Sequence, residues 1–342
     1  MRRVQSFKQT PWSWLCQATG VAPCKGVGES EAKPGGTHLM QALWMVLAAF
    51  LFASMGVCVK MGSAYFNPAE LVFYRGVIGT ALLWGIARAT KVQIRTQYPG
   101  MHAWRSTIGV ASLGAWFYAI AHLPLATAMT LNYMSSVWIA AFLVGGTLLM
   151  WRPGTSGPGL LSQGPLVLTV LAGFAGVVLM LRPTLNDQQM FAGLIGLLSG
   201  LSAAFAYMQV MALSRLGEPE ARTVFYFAVA SAIAGGIATL FTGFSPWNWQ
   251  GAVWLLPIAL LAAGGQLCMT RAYATAKTPL GTLVVANLQY SGIVFAAIYS
   301  VVLFGDVIPL LGWLGMLLIV ASGIAATVLR NRAAPDAPAE EH

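Results

Sequence analysis

Charged side chains are scarce in this chain of 342 residues, because Asp, Glu, Lys and Arg together make up only 8% of it. Soluble domains carry about 25% charged residues. Hydrophobic residues make up 57%, and a soluble fold of this length could not bury so much apolar surface. The composition therefore excludes an ordinary soluble protein and indicates that lipid is the solvent for most of the chain.

The motifs of several enzyme and pump classes are also missing. The sequence contains no HExxH, no GxSxG and no GxxxxGK[S/T], so it offers no zinc-protease, hydrolase or P-loop site. Its four cysteines have no metal-ligand spacing (Cys16, Cys24, Cys58 and Cys268). We expect no cofactor and no metal. A membrane-embedded enzyme and a membrane sensor or scaffold stay open as alternatives to a solute carrier.

The net charge of +9 does not indicate a nucleic-acid partner. The basic residues sit in short loops between apolar runs and form no continuous patch. Loops rich in Lys and Arg are instead typical of the cytoplasmic side of a membrane protein.

Ten apolar stretches follow one another along the chain, each near the roughly 20 residues that span a bilayer as a helix. We number them segments 1 to 10: 40–61, 68–88, 102–122, 125–149, 164–182, 191–213, 222–243, 251–271, 279–304 and 308–330. Turn residues such as Asn67-Pro68 and Leu123-Pro124 separate them. The sequence therefore predicts an all-α integral membrane protein with ten transmembrane helices.

The ends of the chain differ from its centre. Residues 1–38 are basic and lack the apolar core of a signal peptide, which predicts a disordered cytoplasmic tail. Met40 opens directly into segment 1 and is an alternative start of the protein. With the N-terminus inside, sixteen Lys and Arg residues face inward and two face outward, if Arg105 is counted in an inner loop. We expect an inner (plasma) membrane protein with both termini cytoplasmic, ending in a tail over 331–342.

An internal repeat relates the two halves of the chain. A shift of 155 residues places the stretch 118–127 on 273–282, Asn132 on Asn287 and Ser136 on Ser291. The repeat predicts two five-helix units, 40–182 and 191–330. An odd number of spans in each unit forces opposite orientations in the membrane, an arrangement typical of secondary transporters with a solute site near mid-depth.

Three motifs resemble the ten-helix EamA-type members of the drug/metabolite transporter superfamily. They are Glu70-Leu-Val-Phe-Tyr-Arg75 in segment 2, Pro-Leu-[Ala/Gly]-Thr-x4-Asn in segments 4 and 9, and Ala321-Ser-Gly-Ile-Ala-Ala326 in segment 10. The resemblance covers about 40–330. It implies two inverted five-helix repeats around a central cavity. It also implies that the protein transports a small metabolite or drug-like solute by alternating access, with export the favoured direction.

Asn132 and Asn287 are the first candidate substrate-binding residues, because they are equivalent in the repeat. On a helix, Asn132 shares a face with Ser136, while Asn287 shares one with Tyr290 and Ser291. Two such faces meeting at the repeat axis would form a polar floor for a solute. Alternatively, both Asn side chains hydrogen-bond to neighbouring helices and hold the bundle together.

Arg75 and Glu70 form a second candidate group at the start of segment 2. An arginine within a membrane is costly unless it is paired or hydrated. Arg75 is therefore a candidate for binding an anionic group of the solute, and the alternatives are a clamp with Glu70 or a side chain that reaches the interface.

Three further candidates could add aromatic and amide groups to a pocket for a flat solute. They are Tyr118, its repeat equivalent Tyr273, and Gln209. Each is equally compatible with a packing role.

Coupling and assembly follow from two further observations. Segments 1 and 6 contain no Asp or Glu, so proton coupling would have to use Glu70 or another group, and facilitated diffusion stays open. A chain that holds both repeats need not dimerise, and we expect a monomer.

Overall fold

The computed structural model describes residues 36–135, 137–138, 141–142, 164–181, 187–276 and 279–333. Within these ranges the secondary structure is helical and includes no strand, which confirms the all-α prediction. Most of the predicted N-terminal tail, most of segment 4 beyond Met134 and residues 334–342 lie outside the described ranges.

The described residues include eleven helices. They are α1 (Gly36–Gly62), α2 (Pro68–Ala89), α3 (Pro99–His122), α4 (Leu125–Tyr133), α5 (Gly164–Leu181), α6 (Asp187–Arg215), α7 (Glu220–Thr242), α8 (Trp249–Thr275), α9 (Pro279–Leu288), α10 (Ser291–Phe304) and α11 (Leu310–Ala333).

Seven helical stretches among the described residues are long and apolar enough to cross a membrane. They are Met40–Gly62, Pro68–Ala89, Gln189–Arg215, Glu220–Thr242, Trp249–Thr275, Val284–Phe304 and Leu310–Leu329. Within α5, Val167–Leu179 is apolar but shorter. The chain is therefore a multi-pass membrane protein, with seven qualifying spans in its described part where we predicted ten.

Local sequence explains where α2 begins. Asn67 accepts a hydrogen bond from the Glu70 backbone N–H at 3.0 Å, and the Glu70 carboxylate accepts one from the Asn67 N–H at 2.8 Å. This reciprocal capping box satisfies two backbone donors that the first helical turn leaves without partners. Pro68 occupies the first helical position, where its missing N–H costs nothing.

The long helices pack in four main pairs: α1 with α8, α2 with α7, α3 with α6, and α5 with α11. The pair α2–α7 is antiparallel. Glu70, near the start of α2, accepts a hydrogen bond from the Ser245 hydroxyl beyond the end of α7. Arg222, near the start of α7, donates to the Gln93 carbonyl beyond the end of α2.

Small residues allow the α2 and α7 backbones to approach closely, as is usual where membrane helices meet. A methyl group on Gly76 of α2 would lie 2.6 Å from Cα of Ala232, and one on Gly235 of α7 would lie 2.8 Å from Cα of Phe73. We call this contact the α2–α7 seam. No side chain larger than hydrogen fits at either position.

Segments 4 and 9 are not continuous helices, which corrects our prediction for both. In segment 4, α4 ends at Tyr133. In segment 9, α9 ends at Leu288, and α10 begins at Ser291 after its N-cap residue Tyr290. Under the shift of 155 residues, Leu288 is the equivalent of Tyr133. The two breaks therefore occupy corresponding positions of the repeat, one residue after Asn132 and Asn287.

Candidate substrate-binding site

A cavity lies among α1, α3, α4, α6, α7 and α8. Its polar lining comprises Arg105, Ser112, Asn132, Tyr133, Tyr207 and Gln266. The remaining lining comprises Phe52, Gly109, Leu113, Trp116, Ala203, Ala206 and Phe227. An apolar wall with a few polar groups is typical of a site for an organic solute.

Among the described residues that line this cavity, Arg105 is the only charged one. It lies on α3 and is 2% exposed, so it is not the inner-loop residue that our orientation count assumed. Its Nη2 donates to Gln266 Oε1 at 3.3 Å, and its guanidinium carbon lies 4.1 Å from the centre of the Phe227 ring. Nε and Nη1 are buried and have no hydrogen-bond partner among the described residues.

Gly109 provides the space that this guanidinium occupies. A methyl group at position 109 would lie 2.5 Å from Nη1 of Arg105 and 3.0 Å from Cε2 of Phe227. The glycine therefore lets the arginine side chain fold along α3 toward α7 instead of extending past the helix surface.

Arg75 lies beside the cavity but does not line it. It is 5% exposed, its guanidinium carbon is 5.1 Å from the centre of the same Phe227 ring, and its Nη1 donates to Ser231 at 3.4 Å. Its Nε has no partner among the described residues. Glu70 does not pair with Arg75, because its carboxylate accepts its hydrogen bonds from Asn67 and Ser245.

Asn132 lines the cavity at the end of α4 and also holds two helices together. Its Nδ2 donates to the Ser199 hydroxyl of α6 at 3.1 Å. Gly200, the next residue of α6, lies so close that a methyl group there would be 2.5 Å from the Leu131 carbonyl oxygen. Both interpretations of Asn132 from the sequence, a wall of the site and a bridge between helices, fit this geometry.

The second break places its polar residues differently. Asn287 is partly buried and is not among the cavity-lining residues, and its Oδ1 is buried without a partner among the described residues. Tyr290 is 4% exposed and packs its hydroxyl against Gly323 of α11. Ser291 donates to the Leu288 carbonyl at 2.7 Å. Ser136, the equivalent of Ser291, lies outside the described residues.

The remaining candidates lie around the cavity without lining it. Tyr118 stacks on His122 with ring centres 4.2 Å apart near the end of α3. Tyr273 donates to Gln289 at 3.4 Å, which connects α8 to the break between α9 and α10. Gln209 is 2% exposed on α6. The structure thus brings Asn132 to the cavity wall and leaves these three residues outside it.

Arg105, Ser112, Tyr207 and Gln266 are polar lining residues that our sequence analysis did not propose for the site. Arg105 was assigned to a loop because it follows the start of segment 3 by only three residues. The helix in fact begins at Pro99, which places Arg105 nearly two turns inside it. Only the spacing from Pro99 could have indicated this position, while Gln266 and Tyr207 carry no such signal.

A second cluster of charges lies at one end of the seam, and we call it the Glu218 clamp. The Glu218 carboxylate accepts hydrogen bonds from Thr96 at 3.0 Å and from Arg222 at 2.9 Å, and His102 Nε2 lies 3.3 Å from it. Burial favours the neutral acid, but the hydrogen bonds from Arg222, Thr96 and His102 and the charge of Arg222 outweigh it, so the Glu218 pKa is lowered. The clamp fastens the α2–α3 loop to the start of α7.

Apolar antiparallel helices around a polar cavity define a membrane carrier. Residues 39–182 match the EamA-like transporter family. The chain is 31% identical over 290 residues to the pseudopaline exporter CntI of Pseudomonas aeruginosa, covering 83% of this chain and 94% of that protein. It is 30% identical over 241 residues to a riboflavin transporter of Rhizobium johnstonii, covering 69% and 74% of the two chains.

The chain therefore belongs to the EamA-like transporter family. It is a secondary transporter of small metabolites rather than an enzyme. A solved crystal structure matches 86% of this chain and 98% of its own length with a TM-score of 0.56 and 20% identity, a likeness of fold alone.

Proposed function

We propose that this carrier exports a small metabolite by alternating access, with its solute bound in the cavity beside Asn132. The observation that carries the proposal is the pair of helix breaks at equivalent positions after Asn132 and Asn287. Interrupted helices in corresponding positions of two repeats mark the binding site in many secondary transporters. Export is supported by the similarity to the Pseudomonas relative, which is named as an exporter.

The packing pattern supports two inverted five-helix repeats, 40–182 and 191–330. Exchange of the halves turns the pair α1–α8 into the pair α6–α3, and it returns α2–α7 and α5–α11 to themselves. Because α2 and α7 are repeat equivalents and run antiparallel, the halves that contain them have opposite orientations. Such halves can exchange conformations, opening the cavity to one side of the membrane and then to the other.

The proposal includes a monomer in the inner membrane with both termini in the cytoplasm, following the distribution of Lys and Arg. Reporter fusions at each terminus test the orientation. A proton remains the proposed coupling ion if transport is active. Glu70, the carboxylate that we considered for this role, is buried and accepts three hydrogen bonds from Asn67 and Ser245.

The experiment measures solute flux in proteoliposomes with the double variant Asn132→Ala and Asn287→Ala. We expect flux to be abolished with unchanged expression and gel-filtration profile, because the variant removes the amide that lines the cavity and its repeat equivalent. Gln250→Ala, which removes an exposed amide near the start of α8, is the matched control. Normal flux in the double variant would remove the Asn pair from the site.

Direction is tested separately. We expect everted vesicles from cells that express the chain to take up the solute, because their cytoplasmic face is outside. Right-side-out vesicles should not accumulate it. Uptake confined to right-side-out vesicles contradicts export while leaving the carrier intact.

A further inference from the structure

No Asp or Glu is among the described residues that line the cavity. Of the ten Asp and Glu residues, five lie in the terminal tails, at 29, 31, 336, 340 and 341. The others lie at helix ends or in loops: Glu70, Asp187, Glu218, Glu220 and Asp306. Among the described residues, Arg75 and Arg105 are therefore buried guanidinium groups without a carboxylate in an ion pair with either.

Unused hydrogen-bonding groups around the cavity are almost all donors. Besides Nε and Nη1 of Arg105, the indole Nε1 of Trp116 and the hydroxyl of Tyr133 are buried without partners among the described residues. Guanidinium and indole N–H groups only donate, and a hydroxyl can donate. Because a buried donor without a partner is unfavourable, this set of groups is complementary to a ligand with several acceptor oxygens.

The aromatic ring between the two arginines does not remove this requirement. Phe227 lies 4.1 Å from the Arg105 guanidinium and 5.1 Å from that of Arg75. A ring face attracts a cation, but it carries no net charge and accepts none of the in-plane N–H bonds. Phe227 thus holds the guanidiniums in place and leaves both positive charges uncompensated.

We propose that the cavity binds an oxyanion of the transported metabolite, a carboxylate or a phosphate, on Arg105 with donors from Trp116 and Tyr133. Arg75 supplies a second positive charge beside Phe227 without touching the solute. This inference rests on the proposed function and adds the chemical class of the substrate. An oxyanion satisfies the in-plane donors of a guanidinium in a way that neutral groups do not.

The first arm of the test identifies solutes without assuming one. Metabolites in the medium of cells that express the chain are compared with those of cells carrying an empty vector. We expect the metabolites whose export depends on the chain to carry a carboxylate or a phosphate. Protein-dependent export confined to neutral or cationic metabolites overturns the proposal but keeps the carrier, whereas absence of any dependent export contradicts both.

The second arm measures charge preference in proteoliposomes with the exported metabolites and with matched pairs of probes. The pairs are nicotinate with nicotinamide and riboflavin 5′-phosphate with riboflavin, so carboxylate and phosphate are separated. We expect the anionic member of any transported pair to move about tenfold faster or more. A preference for the neutral members overturns the proposal.

Variants of Arg105 distinguish binding from packing. Arg105→Gln should remove the anion preference, and Arg105→Lys should restore part of it with a higher KM, because the charge is kept and the planar donor set is lost. Arg88→Gln is the matched control, since Arg88 also lies over an aromatic ring, 4.9 Å from the centre of Trp84, but is exposed. An unchanged preference in a folded Arg105→Gln protein overturns the assignment.

Discussion

The carboxylates at the ends of the α2–α7 seam have hydrogen-bond partners, whereas part of the Arg105 guanidinium at the cavity beside it has none among the described residues. Both ends of the seam are closed by carboxylates whose partners are in place: Glu70 with Asn67 and Ser245, and Glu218 with its clamp. The cavity is lined by Phe227, a few residues further along α7. There Arg105 has no ion pair with a carboxylate among the described residues. The satisfied carboxylates hold the two ends of the seam together, while Nε and Nη1 of Arg105 at the cavity are available for a ligand.

The largest expected effect comes from breaking the seam with Gly76→Ala. The new methyl group would meet the backbone of Ser231 and Ala232, with Cα of Ala232 at 2.6 Å. Backbone atoms cannot rotate away, so the helices must separate, at a cost of about 3 kcal/mol. Thermal unfolding in detergent and the yield of folded protein measure this loss.

Gly85→Ala is the control within the same helix, because a methyl group there meets nothing within 4 Å. Its effect should be small or stabilising, since Ala favours a helix more than Gly by up to about 1 kcal/mol. Equal destabilisation by both variants would show that the close contact at Gly76 does not matter.

A smaller effect is expected when the Glu218 clamp is opened by Glu218→Gln. The change leaves Arg222 without its ionic partner and should lower stability by about 1–3 kcal/mol. The anion preference of transport should not change, because none of the clamp residues lines the cavity. A lost preference in a stable Glu218→Gln protein would contradict the separation of the two regions.

The same clamp predicts a pH dependence of stability. The Glu218 pKa is lowered in the folded protein, so its stabilisation is complete above the ordinary pKa of a glutamate and is lost as the pH falls through the folded value. The unfolding temperature of the wild type should therefore fall below about pH 5. Glu218→Gln should show a lower value at pH 7 and a shallower decrease with acid.

The smallest effect on stability is expected from Gly109→Ala in the cavity. Its methyl group would lie 2.5 Å from Nη1 of Arg105 and 3.0 Å from Cε2 of Phe227. The guanidinium is the far end of a flexible side chain and can shift, so the cost should stay at about 1 kcal/mol. The displaced guanidinium should slow transport of an anionic solute by about fivefold. Gly114→Ala, with open space around position 114, should leave flux unchanged.

Much of the fold follows from apolar runs and turn residues. Segment 2 was predicted as 68–88 and α2 is Pro68–Ala89; segment 7 was predicted as 222–243 and α7 is Glu220–Thr242. Both helices are continuous, apolar and flanked by proline, so length and composition suffice. The breaks in segments 4 and 9 could not be predicted this way, since neither Tyr133-Met134 nor Gln289-Tyr290 contains a helix-breaking residue.

Less of the candidate site could be predicted. Repeat equivalence indicated Asn132, which lines the cavity, and Asn287, which does not. The repeat relates sequence positions, but which side of a helix faces the cavity depends on packing across the bundle. Arg105 was missed because hydropathy places an arginine near a span end in a loop, whereas the helix extends further toward its N-terminus.

The guanidiniums of Arg75 and Arg105, which have no ion pair among the described residues, also predict how transport responds to voltage. They belong to the protein, so an empty carrier presents more net charge in its centre than one loaded with an anion. Moving one elementary charge through 100 mV changes the free energy by about 2.3 kcal/mol. The membrane potential should therefore act most strongly on the return of the unloaded carrier.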